Sequence, residues 1–233
     1  MIPDEPATSK DRKGVFAETL VNRILTMQLE PGSVLDEVAL SQEFGLSRPP
    51  VRELMKQMAG EGYIDLEANR PARVPIISYH TLRNFLMVAP MIYVASTKLA
   101  AVNHTAKELE VLKQTQQKFR ESIADGNVEN RVILNHQFHL SIGKMAHNEY
   151  LLPSLKKLLI DHARVGKVFY RQHTDLRVQK DQGTAVRQHD EIIEAIESGD
   201  VEAAGEITRA HLEILRDDIA LYVLPSGMQG ELQ

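Results

Sequence analysis

The sequence predicts a mainly α-helical protein in two parts: a small N-terminal module of helices closed by a hairpin, and a larger all-α helical bundle. Three observations carry this expectation. Apolar residues recur at helical spacing along most of the chain. Strand-like character is confined to Tyr63-Ile64-Asp65-Leu66, which alternates apolar and polar, and to Arg73-Val74-Pro75-Ile76, its returning partner. From Ser78 to Tyr222 no strand signal of similar quality returns. The expected division is a loose N-terminus at 1–13, the small module at 14–78, the bundle at 79–223 and a polar tail at 224–233.

Each element has a local reason. Val15, Leu20, Ile24 and Leu25 mark a first helix from Gly14, and Pro31-Gly32 stops it. Val38, Leu40 and Phe44 mark a second, from about Asp36 to Phe44. Gly45 suits a sharp turn. Ser47 can cap a third helix, about Arg48 to Ala59, with Pro49 and Pro50 in its first turn, where backbone donors lack intrahelical acceptors. In the bundle, breaks near Asn103-His104-Thr105, Asp125-Gly126-Asn127, His147-Asn148, His173-Thr174-Asp175 and Ser198-Gly199-Asp200 divide the chain into about six helices. Pro90 should kink the first of them or mark its start.

Composition narrows the classes. A length of 233 residues fits one or two domains with a sizeable, mostly aliphatic core, since Trp is absent. The absence of cysteine excludes disulfides, thiolate metal ligands and cysteine nucleophiles, and fits a cytoplasmic setting. No secretory signal is visible, and no apolar run approaches the ~20 residues of a membrane helix, so no membrane partner is expected. A formal charge of −5 means that any contact with nucleic acid must rest on local placement of Arg and Lys.

Helix, tight turn, helix and two-stranded hairpin is the order of a winged helix-turn-helix. In its third helix, Val51, Leu54, Met55 and Met58 form an inward stripe, while Arg48, Arg52 and Lys56 follow at steps of four on the opposite side. Three cations alone read as a solvated face. Beside a capped N-terminus and a wing, they read as a helix for the major groove of double-stranded DNA, where Arg can grip guanine edges or phosphates. Arg70 and Arg73 flank the hairpin tip and are candidates for phosphate or minor-groove contact.

The run Pro31-Gly32-Ser33-Val34-Leu35-Asp36-Glu37-Val38-Ala39-Leu40, then Gly45-Leu46-Ser47-Arg48-Pro49-Pro50-Val51-Arg52-Glu53 and Glu61-Gly62-Tyr63-Ile64, resembles the GntR family of bacterial regulators over about residues 14–77. The resemblance implies that Arg48 and Arg52 contact an operator and that the wing tip meets the minor groove. Pro49 stands where the family usually has Thr, and Pro71 where it usually has Gly. The DNA-facing set expected is thus Ser47, Arg48, Pro49, Arg52, Lys56, Arg70 and Arg73.

The chain has nine histidines. His80, His104, His136, His147, His162 and His173 sit near breaks or without matching partners and read as surface or capping residues. Asn135 and His139 share one side of a helix, and His189 and His211 each lie beside the apolar residues of later helices. Three converging imidazoles without a thiolate suit a borderline divalent cation such as zinc, nickel or manganese; separate core histidines bonded to backbone are the alternative. Asn135-His136-Gln137-Phe138-His139, with His189, Gly199-Asp200, Ala203-Ala204 and His211-Leu212, is similar to the FCD ligand-binding domain of one GntR subfamily, over about residues 80–222. The similarity implies a metal held by an Asp and three His, completed by a small carboxylate effector. His139, His189 and His211 match the histidines, and Asn135 stands at the Asp position. Ala89 and Tyr93 stand where members carry Arg and Glu, which points to a more apolar pocket lined by Met87, Met91 and Tyr93, with Arg164 and Arg171 as spare cations.

Two-fold operators are read by two-fold proteins, so a homodimer is expected, with Pro75 to Thr81 as the hinge between reader and sensor. Two rivals remain. His189-Asp190 is a dyad of the kind found in helical metal phosphohydrolases, although no general-base motif accompanies it. A winged module used only for protein contact is the other. The expectation is a regulator, not an enzyme.

Overall fold

The computed structural model describes the backbone of residues 9–172 and 176–223, and side chains over 11–168, 182–217 and 219. The chain divides into two compact units, Met1–Ile76 and Ile77–Gln233. Helix α1 spans Ser9–Leu25, strand β1 Val34–Leu35, helix α2 Glu37–Glu43, helix α3 Arg48–Glu61 and strand β2 Ala72–Arg73. The second unit contains α4 Tyr79–Asn103, α5 Ala106–Ala124, α6 Val128–Met145, α7 Leu151–Gln172, α8 Leu176–Ser198 and α9 Val201–Val223.

In the first unit, Phe16, Leu20 and Ile24 of α1 bury completely against Leu40, Val51 and Met55. Phe16 meets Phe44 edge to face with centroids 5.0 Å apart. Two expectations are corrected in this helix. It begins at Ser9, so residues 9–13 are helical and not loose. Val15 faces outward, because the core stripe runs 16-20-24. The Asp36 carboxylate accepts from the backbone N–H groups of Val38 and Ala39 and starts α2. Gly45 turns the chain at φ +59°, and α1 ties that turn down through Arg12 Nη1 to the Gly45 carbonyl at 2.9 Å. Gly62, also left-handed, ends α3.

The wing is smaller than expected and differently partnered. Strand β2 pairs antiparallel with β1, in register Val34↔Arg73 and Leu35↔Ala72. The expected strand at Tyr63 to Leu66 is reduced to one bridge, Asp65 to Arg73. Strand β1 was not foreseen, because two residues are too short for alternation and their partner lies far along the chain.

In the second unit, the local stops foreseen in sequence are realised. Thr105 and Glu108 form a reciprocal capping box on α5. Gly126 and Gly199 adopt positive φ at the two tight turns. The break expected at 173–175 lies outside the described residues, as does the tail at 224–233. Helix α4 continues through Pro90, which therefore does not mark its start. By length and composition α4 is apolar enough to cross a membrane, contrary to expectation. Here it is a core helix: Leu82, Phe85, Ala89 and Tyr93 are buried, and it packs against α6, α7, α8 and α9. One core joins α5, α6 and α8 with the end of α4; another joins the start of α4 with α7 and α9.

Truncating a fully buried ring leaves a cavity that a small domain cannot close. Phe16→Ala is therefore expected to destabilise the N-terminal unit by about 3–5 kcal/mol, seen as an early transition in denaturant unfolding followed by circular dichroism.

Candidate functional site

The outward face of α3 is built as its spacing requires. Val51, Met55 and Met58 anchor the helix, and Arg48, Arg52 and Lys56 are exposed on the other side with Ser47 and Pro49. Ser47 occupies the N-cap position, but its hydroxyl makes no capping hydrogen bond, which corrects the role expected for it. A residue not singled out from sequence organises the arginines. Glu37 of α2 accepts from Arg48 Nε at 3.0 Å, and from Arg52 Nε and Nη2 at 3.0 and 2.9 Å. Hydrogen bonding from Arg52 first, and from Arg48 as well, holds the Glu37 carboxyl below its usual range; the same bond raises Arg52. The carboxylate takes the Nε edge of each guanidinium. For Arg48 the contact uses Nε alone; for Arg52 it also engages Nη2, one of the two terminal nitrogens that fit guanine O6 and N7 side by side. The only sequence signal for Glu37 was its place at the start of α2, and its partners lie 11 and 15 residues away.

At the wing, Arg70 lies at the tip, exposed and 2.6 Å from Glu67. Arg73 does not flank the tip. It is the central residue of the small sheet, exposed, and its Nη1 donates to the Gly32 carbonyl at 3.0 Å, so that it sits at the base of the wing where Arg70 sits at the tip.

In the helical unit, α6, α8 and α9 bring His139, His189 and His211 together, with one nitrogen of each lying within 4.8 Å of the others. All three are buried. His189 and His211 face one another through their Nε2 atoms at 3.2 Å. Their outer nitrogens meet amides: His189 Nδ1 lies 2.9 Å from Gln116 Oε1, and His211 Nδ1 lies 3.1 Å from Gln188 Oε1. An amide oxygen only accepts, so each Nδ1 carries the proton and each Nε2 presents a lone pair inward. His139 Nε2 is buried without a hydrogen-bond partner. Two inward imidazole nitrogens backed by outer hydrogen bonds, with the unpartnered His139 Nε2 beside them, have the chemistry of a divalent cation site. Asp190 does not join it, and among the described residues the cluster contains no carboxylate.

Two histidines read as surface or capping residues are buried instead. His136 is enclosed on α6, and His162 sits inside α7. Tyr93 Oη lies 2.8 Å from His162 Nδ1, and Asn135 Nδ2 lies 3.3 Å from His162 Nε2. Tyr93 and Asn135, the two positions that depart from the FCD pattern by losing a carboxylate, are thus joined through one imidazole that no spacing rule singled out. His80 and His147 are exposed and His104 is half-buried, its Nδ1 3.0 Å from the Ala100 carbonyl; His173 lies outside the described residues.

The expected effector lining is partly corrected. Met87 and Met91 are 62% and 70% exposed on the outer face of α4 and line no interior. Tyr93 is buried, as an interior role requires. Arg164 is 1% exposed and lies 3.4 Å from Asp161, so it is no spare cation. The side chain of Arg171 lies outside the described residues.

Burial pushes every one of these imidazoles toward its neutral form. His136 and His211 fall to about 4 and His162 to about 3, all by desolvation first. His139 and His189 lie well below the usual histidine range for the same reason, with neighbouring imidazoles adding to the effect. Tyr93 is raised far above its usual value by burial, then by Asp161.

A recognition helix beside a small wing, followed by a histidine-centred helical bundle, defines the class of two-part transcriptional regulators. Residues 13–74 match the family model "Bacterial regulatory proteins, gntR family", and residues 90–214 match the FCD domain. The HTH-type transcriptional repressor RspR of Escherichia coli is 25% identical over 191 residues, covering 82% of this chain and 81% of its own. The Glc operon transcriptional activator of the same species is 26% identical over 230 residues, covering 88% and 87%. Among solved structures, E. coli McbR/YncC superposes with a TM-score of 0.74 at 18% identity over 90% of this chain and 96% of that one, a likeness of fold. The chain belongs to the GntR family of transcriptional regulators, in the branch that carries an FCD domain.

Histidines with depressed pKa values are neutral in the folded bundle and charged in the unfolded chain below pH ~6.5. The unfolded state then binds more protons, so stability is complete above that pH and is lost as pH falls toward the folded values near 4. Each such histidine steepens the loss by up to about 1.4 kcal/mol per pH unit. The thermal midpoint of the metal-free protein is expected to drop steeply from pH 6.5 to 5, and His136→Asn is expected to flatten the curve.

Proposed function

We propose that this regulator binds a two-fold operator as a homodimer through Arg48, Arg52 and Lys56, and that a divalent metal at His139, His189 and His211, together with a small carboxylate metabolite, sets its operator affinity. The observation that carries the DNA reading is the exposed face of α3, where two guanidinium groups one turn apart are held in register by Glu37. Arg70 at the wing tip is the candidate for the minor groove, and Ser47 and Pro49 sit at the helix end nearest the backbone of a bound duplex.

The metal reading rests on the inward Nε2 atoms of His189 and His211, on the nearness of the three imidazoles and on the unpartnered His139 Nε2. When bound, zinc, nickel or manganese would supply a fixed positive charge in a pocket otherwise neutral. Asn135 leaves the donor set one negative charge short of the family's Asp. A carboxylate ligand makes up that deficit, which is the chemical reason for an acidic effector. Asn135 itself bonds His162, which supports it as a group that shapes the pocket more than as a strong ligand. The effector acts only through its different affinity for DNA-competent and incompetent arrangements, with the non-helical residues 75–78 as the hinge; residues 79–81, expected to share that role, belong to α4.

For the dimer, the exposed Met87 and Met91 lie on one side of α4, four residues apart, and a second copy of the chain is their occupant. Met91→Glu is expected to halve the mass measured by light scattering.

The decisive DNA experiment uses a duplex selected by the wild-type protein from a randomised pool, with random-sequence duplex as competitor. Arg48→Ala and Arg52→Ala are each expected to weaken binding by about 5–150-fold, the equivalent of 1–3 kcal/mol, and to relax specificity. Lys56→Ala should weaken all duplexes alike and lower the salt slope by about 1. Unchanged affinity in both arginine variants, with folding intact, would remove the reading. Elemental analysis of the native protein tests the metal, with His211→Ala expected to lose it.

A further inference from the structure

We infer that Gln116, anchored by the surface pair Asp190 and Arg120, is the positioning residue that fixes the tautomer of His189 and keeps its Nε2 lone pair aimed at the metal centre. The inference deepens the metal reading and rests on it.

The chain of contacts runs from solvent to the centre of the bundle. Arg120 Nη2 donates to both oxygens of Asp190, at 2.8 and 2.7 Å. Asp190 Oδ1 also accepts from Gln116 Nε2 at 2.9 Å, and the same amide nitrogen donates to the Val186 carbonyl at 3.1 Å. Both of those partners are acceptors. A flipped Gln116 would set its oxygen against a carboxylate and a carbonyl at once, two repulsive contacts in place of two hydrogen bonds. The amide therefore has one orientation, with Oε1 turned to His189 Nδ1 at 2.9 Å. A neutral imidazole carries one proton, and this acceptor draws it to Nδ1. Phe138 removes the remaining freedom by stacking on the ring, with centroids 3.8 Å apart and planes at 12°.

The arrangement also accounts for the His189-Asp190 pair. Consecutive helical residues point about 100° apart, so the histidine turns inward while its neighbour turns to the surface. Asp190 does not supply a catalytic carboxylate; it acts on His189 through the amide of a different helix. Gln116, 2% exposed, lies at the inner side of an open groove of about 410 Å³ between α5 and α8 that Asp190 and Arg120 also line. A buried ligand is thereby oriented from a solvent-facing ion pair.

The test uses the full chain labelled with ¹⁵N-histidine, first without metal and then titrated with zinc against a chromophoric chelator. In the wild type, His189 is expected to show a protonated Nδ1 and an unprotonated Nε2. Gln116→Leu should collapse the two signals toward a tautomer mixture and weaken zinc binding by about 10–100-fold. Asp190→Asn alone keeps an acceptor oxygen for Gln116 Nε2 and should retain the wild-type signature. Should Gln116→Leu fail to fold, the surface variant Asp190→Ala carries the same readout, with a partial collapse expected. Wild-type signals and zinc affinity in Gln116→Leu, or in Asp190→Ala where it stands in, would overturn the inference. A wild-type protein that shows the Nδ1 proton, loses it in Gln116→Leu and yet takes up no zinc would uphold the positioning role and remove the metal reading.

Discussion

The helical unit depends on the burial of neutral imidazoles. Five histidines, His136, His139, His162, His189 and His211, are enclosed in one bundle, and each has had its water removed. A buried polar nitrogen must find a partner or remain a cost. Gln116 and Gln188 bond the outer nitrogens of His189 and His211, Tyr93 and Asn135 bond those of His162, and the Nε2 atoms of His136 and His139 are left without a hydrogen-bond partner. Packing thus creates the chemistry: the same burial that depresses the pKa values removes the protons that would otherwise block a metal.

The N-terminal unit solves the opposite problem, that of presenting charge. Two guanidinium groups on an exposed helix would sample many rotamers, and ordering them on a duplex would cost conformational entropy. Glu37 lowers that cost by bonding both before any ligand arrives. Its negative charge beside the cations would, on the proposed DNA-facing surface, weaken attraction to phosphate in general and leave base contacts to decide among sequences. In both units a residue one helix away hydrogen-bonds the candidate functional group, Glu37 the two arginines and Gln116 His189.

Correspondence with the family is close where backbone geometry demands it and loosens where charge is exchanged. Gly45 and Gly199, both part of the strings that carry the resemblance, sit at positive φ. Asn135, Tyr93 and Ala89 each replace a charged residue of the FCD pattern, and His162 joins the first two by hydrogen bonds. The pocket has changed its chemistry without losing its polar connectivity.

The resemblance to the FCD domain singled out the trio His139, His189 and His211, while the residues by themselves determined the helix order of both units, the tight turns and the α3 face of Arg48, Arg52 and Lys56. The latter features follow from spacing within one helix or from the backbone demands of a single residue, and such information is local. Tertiary structure decided which flank of each helix meets a neighbour. It turned Met87 and Met91 outward and Phe16 inward, buried His136 and His162, gave Arg73 to the Gly32 carbonyl, paired β1 with β2, and brought Glu37 and Gln116 to the groups they orient. The physical reason is that helical periodicity defines a stripe but not its partner, and a hydrogen bond between residues 73 apart leaves no trace in the spacing of either.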